Sequence, residues 1–168
     1  TYDATINAYL GFQLTKGTHL KEGLAADDNM PMLHILRGYF MKLFAVPALE
    51  DKARQCHEAT SRAISNCGSH EREQLHHQAL GRWCDGDWQG ANAAWEQILL
   101  DHPTDVLAIR LAHFTHFYSG DARRMRDSAA RVLPHWDTSV PGYGYIKGLY
   151  AFGLEESGDY QAAERWGR

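Results

Sequence analysis

Apolar residues along most of this chain recur at intervals of three and four, the spacing that places them on one face of a helix. Trp88, Ala91, Trp95 and Ile98 follow one another at steps of three, four and three, and Leu75, Ala79 and Trp83 at steps of four in the preceding run. No segment reads as a strand. Between these two runs stands Gly86-Asp87, and the same dipeptide returns at Gly120-Asp121 and Gly158-Asp159, 34 and 38 residues further along. Glycine takes the left-handed conformation that ends a helix, and aspartate caps the helix that follows through its side-chain oxygen. One joint at a nearly fixed interval predicts one two-helix unit at that interval, the signature of stacked helical hairpins.

The expected architecture is all-α, an α-solenoid of stacked helix-turn-helix units in one domain over residues 1–168. Five hairpins are predicted, roughly 1–28, 30–66, 70–102, 104–134 and 142–168, the last incomplete. In the first, Ala4 to Leu14 and His19 to Ala26 are the helices and Gly17 lies in the joint; in the second, Val46-Pro47 separates the helices. Ser65 to His70 reads as a linker and His135 to Gly144 as a longer connection. A stack of hairpins needs a polar cap at each end. The chain starts at Thr1 and stops within a helix at Trp166-Gly167-Arg168, so further repeats are expected beyond it, with self-association as the other way to cover that end.

Composition narrows the partners. The formal net charge is −4, from 17 basic and 21 acidic residues, and the basic residues are dispersed, which argues against a nucleic-acid surface. Arg123, Arg124 and Arg126 read as a solvated helical face. The most apolar stretch, Tyr39 to Leu49, is short and broken by Lys42 and Pro47, so no membrane span is expected. Cys56, Cys67 and Cys84 form neither a CxxC pair nor an even set, which fits a reducing compartment and a cytoplasmic protein.

Ala79, Ala91-x3-Trp95 and Pro103 match the tetratricopeptide pattern of small residue, A-x3-aromatic and proline, with Arg82 where a tyrosine is usual. Longer strings go further: Arg72-Glu73-Gln74-Leu75-His76, the run from Trp95 to Asp105, Met125-Arg126-Asp127-Ser128, and Lys147 to Glu155. With these the chain resembles the N-terminal part of the tetratricopeptide repeat protein 38 family, most strongly from residue 71 onward. The resemblance implies an α-solenoid and a cytoplasmic protein, and it carries over no catalytic residue.

In such a stack the first helices line a concave side where extended peptides lie. Taking Arg72, Val106 and Gly144 as first positions of their repeats turns Glu73, His76, Leu80 and Trp83 inward in the third unit. Leu107, Arg110, Phe114 and Phe117 follow in the fourth, and Tyr145, Phe152 and Glu155 in the fifth. The expected function is therefore a non-enzymatic scaffold holding a protein or peptide segment, without a cofactor. The bland reading of the aromatics is packing against the next unit. The alternative function is an enzyme or accessory factor of small-molecule metabolism with a histidine-lined, metal-binding pocket. Ten histidines motivate it, with His113 and His116 three apart on one helix and His34 or His76 as further ligands. No H-E-x-x-H and no zinc-module spacing occurs, and no nucleophile is nominated.

Overall fold

Reversals of helix direction set this fold, and nine connections separate ten α-helices among the described residues, 2–168, of the computed structural model. The helices are α1 Tyr2–Leu10, α2 Lys16–Ala26, α3 Pro31–Leu43, α4 Glu50–Cys67, α5 Glu71–Cys84, α6 Trp88–Asp101, α7 Val106–Tyr118, α8 Ala122–Val132, α9 Tyr143–Glu156 and α10 Tyr160–Gly167. Single 3₁₀ turns occur at Pro47–Leu49 and Leu133–His135. Among the described residues no strand is present.

The Gly-Asp joint works as its chemistry predicts. Gly86, Gly120 and Gly158 have φ of 79°, 72° and 83°. The amide of the following aspartate reaches five residues back, Asp87 to the Arg82 carbonyl, Asp121 to His116 and Asp159 to Leu154, each at 2.9 Å. That bond closes the outgoing helix in a Schellman turn. The carboxylate then accepts the third amide of the next helix, from Gly90 at 2.8 Å, Arg124 at 3.0 Å and Ala162 at 3.1 Å. One residue thus finishes one helix and starts the next. Asp105 caps α7 in the same manner, accepting from the Ala108 amide.

The first joint differs from the expectation. Gly17 lies inside α2, and the reversal occupies residues 11–15. There Phe12 holds the left-handed backbone, with φ of 54°, and the Gln13 amide bonds the Ala8 carbonyl at 2.8 Å. The turn is therefore the same Schellman turn written with Phe-Gln. In the second joint Ala45 takes the glycine's place, with φ of 51°. Val46 is extended there and Pro47 opens a 3₁₀ turn before α4.

The chain divides into two compact units, Thr1–Ala94 and Trp95–Arg168. In the first, α5 packs on both helices of the hairpin before it, α3 and α4. Gly38 permits this: a Cβ there would stand 2.5 Å from Leu80 Cδ2. The core holds Leu33, Ile35, Leu36, Tyr39, Leu80 and Trp83. In the second unit α9 packs on α7 and α8 by the same rule. A Cβ on Gly153 would come within 2.7 Å of Arg126 Cα, so α8 and α9 meet backbone to backbone. Ile109, Leu111, Met125, Val132 and Ile146 fill that core. The connection after α8 is anchored by Trp136, 5% exposed, whose indole Nε1 donates to the Pro103 carbonyl at 2.9 Å. Among the described residues no helix is long and apolar enough to cross a membrane.

Candidate partner-binding surface

The expected inward-facing residues separate into two groups. In the first unit the side chains are structural. Glu73 accepts the His70 amide at 3.0 Å and so serves the start of α5. His76 and Leu80 are fully buried, and Trp83 is 1% exposed between the rings of Tyr39 and Trp88. Leu107, in the second unit, is 2% exposed. His76, Leu80, Trp83 and Leu107 are core, and Trp83 packs on Tyr39 of the preceding hairpin and on Trp88 of its own. Their periodicity is the same for a buried face as for a binding face, so spacing alone does not separate the two.

Along α7 and α9 the outcome differs. Phe117 is 41% exposed and Phe152 36% exposed, with ring centroids 5.3 Å apart. Tyr118, 66% exposed, lies edge-on to Phe117 at 5.5 Å and 4.5 Å from Phe114. Above Phe114 stands the Arg110 guanidinium, 5.3 Å from the ring centroid, a cation–π distance. Together they form a continuous ladder of four rings and one cation. Tyr145 on the first turn of α9 is half-buried, and Glu155 near its end is exposed. The sequence reading missed Tyr118, although its position four residues after Phe114 puts both on one helical face.

The four histidines considered as metal ligands are each engaged elsewhere. His34 Nε2 donates to the Asp28 carbonyl at 2.7 Å. The Tyr39 hydroxyl donates to the His76 carbonyl at 2.8 Å and lies 3.1 Å from His76 Nδ1. His113 Nε2 donates to the Leu149 carbonyl at 2.9 Å, tying α7 to α9. Burial pushes the His113 ring down to about 4, so it holds that bond as a neutral donor. His116 Nε2 donates to Glu96 Oε1 at 3.2 Å, and Arg131 pairs with the other oxygen of the same carboxylate. Burial acts to raise the Glu96 carboxyl, but the bonds from His116 and Arg131 outweigh it and hold the group below its ordinary range. His113 and His116 share a helix yet turn to different partners. Among the described residues no group of three or more His, Cys, Asp or Glu side chains could hold a metal ion.

Other reactive-looking groups are also structural. His57 and His77 stack at 4.1 Å, and burial lowers both. A Cβ on Gly81 would lie 2.8 Å from His57 Nε2, so that glycine makes room for the ring. Cys56 and Cys84 are buried, and burial pushes both thiols up, away from the thiolate a nucleophile needs. The large apolar side chains that α7 and α9 leave exposed are aromatic, with one guanidinium beside them. No family model matches this chain, and no solved structure matches it.

Proposed function

We propose that this protein is a non-enzymatic tetratricopeptide-type scaffold, an α-solenoid of the protein 38 family working in the cytoplasm, and that a segment of a partner protein docks on its aromatic ladder. What carries the reading is the run of exposed Tyr118, Phe117 and Phe152 with half-buried Phe114, presented by the first helices of two successive hairpins. Two further features support it. In each unit the first helix of a hairpin packs on both helices of the one before, as a repeat stack requires. Aromatic side chains with an arginine are the residue types that concentrate binding energy at protein interfaces. Arg110 rests on a ring and pairs with no carboxylate among the described residues, so the complementary segment is apolar with at least one acidic residue.

Selection of displayed random peptides on the protein tests this. Enriched peptides should be apolar and acidic, and should lose at least tenfold in affinity to Phe117→Ala or Tyr118→Ala. Binding should persist with Trp88→Ala, an exposed aromatic of the first unit. Peptides that bind the ladder variants as tightly as the parent would overturn the assignment.

A further inference from the structure

The first unit carries a cleft that the scaffold reading does not use. It is about 700 Å³ and lies among α1, the following loop, α2 and α3. Its walls are apolar: Tyr9 and Phe40, with rings 5.1 Å apart, then Leu20, Leu24, Leu43 and Phe44. Leu14 and Phe44 stand at its rim, 92% and 61% exposed. A Cβ on Gly17 would meet nothing within 4 Å, so the absent side chain keeps that wall open. This volume and lining are those of small-molecule sites, where a mostly hydrocarbon cavity carries a few polar groups that orient the ligand.

The polar groups here all have one sign. Lys16, Lys21 and Arg37 line the cleft, and no carboxylate among the described residues does. Lys16 donates to the Gln13 carbonyl, while Lys21 and Arg37 form no ion pair among the described residues. Arg37 also borders a neighbouring cleft that holds Lys52 and Arg62 with one carboxylate, Asp28. A ligand that suits the first cleft has a hydrocarbon body, which the leucines and aromatic rings remove from water, and a single anionic end for the cations. An uncharged hydrocarbon would draw nothing from those cations, and a cationic amphiphile would be repelled.

We propose that this cleft binds a single-chain anionic amphiphile, an aliphatic carboxylate whose tail lies against Leu20, Leu24 and Phe40 and whose head meets Lys21 and Arg37. Calorimetric titration of the whole chain with dodecanoate, below its micelle-forming concentration, tests this beside dodecanol and dodecyltrimethylammonium. Dodecanoate should saturate one site per chain, with the other two at least tenfold weaker. The double variant Lys21→Glu/Arg37→Glu alters exposed positions, so it should keep the parent's melting temperature while binding dodecanoate at least tenfold more weakly. Leu24→Trp, which narrows the cleft, should weaken it as well. Equal binding of all three amphiphiles, an unaffected double variant, or no saturable binding would each overturn the proposal. So would a dimer in sedimentation that is lost on Leu43→Asp, since a second copy would then fill the cleft.

Discussion

The two units both end helices on a left-handed residue but not on the same kind of residue. In the second, Gly120-Asp121 and Gly158-Asp159 supply both a residue free to take positive φ and a side chain that caps the next helix. In the first, only Gly86-Asp87 does so; Phe12 and Ala45 adopt positive φ despite their Cβ atoms. Left-handed backbone disfavours such residues by about 1 kcal/mol. The turn is thus a demand of the packed hairpin, which glycine and aspartate meet cheaply and other residues meet under strain. Buried polar groups differ too. His76 in the first unit is bonded by a tyrosine hydroxyl, whereas His113 in the second depends on staying neutral toward a carbonyl.

The largest expected effect breaks that second difference. With its folded-state value pushed down to about 4, His113 binds fewer protons in the folded protein than in the unfolded chain, where the ordinary value is about 6.5. The stabilisation it gives is complete above pH 6.5 and drains away as pH falls toward 4, about 3 kcal/mol in all. Urea denaturation at pH 7, 5.5 and 4 should show this loss, and His113→Gln, which keeps an N–H donor for Leu149, should show a flatter profile. Equal slopes for parent and variant would remove His113 from the account.

Next comes the approach of the helices. Gly153→Ala forces a methyl against the Arg126 backbone, and about 2 kcal/mol of stability should be lost. Gly38→Ala meets the ends of the Leu80 side chain, which can turn aside, so its loss should be smaller. Denaturation midpoints for the pair give the order directly, and the reverse order would mean that the first unit is the more tightly packed.

The smallest effects sharpen the comparison of the joints. Asp121→Ala removes a cap and should lower stability by about 1 kcal/mol, while Gln13→Ala at the matching place should change it little. Phe12→Gly relieves a left-handed backbone at a side chain 78% exposed, and should stabilise by about 0.5 kcal/mol, strain relief exceeding the added chain entropy. Thermal melts of the three variants are sufficient; destabilisation by Phe12→Gly would show that the Phe12 side chain holds the turn.

Local chemistry made part of this legible. The elbows at Gly86, Gly120 and Gly158 could be read because glycine and aspartate advertise them, and the helices from Glu71 onward follow from apolar spacing. The joints at Phe12 and Ala45 could not, since propensity argues against both residues where they stand; Gly17, with the right propensity, sits in a helix instead. Of the expected groove, Arg110, Phe114, Phe117 and Phe152 come together on the surface, while His76, Leu80, Trp83 and Leu107 go to the core. Trp136 sits in a stretch with every sign of a loop, and only its bond to Pro103 reveals it as an anchor.

By itself the sequence determined that the chain is helical and where most of its helices turn, because helix periodicity and capping are settled within a few residues of one another. Which aromatic faces water, which histidine stays neutral, and that three helices enclose a cleft ringed by cations were decided only by the tertiary structure. Burial and charge environment depend on residues brought in by other helices, as Leu149 is to His113 and Glu96 to His116, and no local pattern carries that distance.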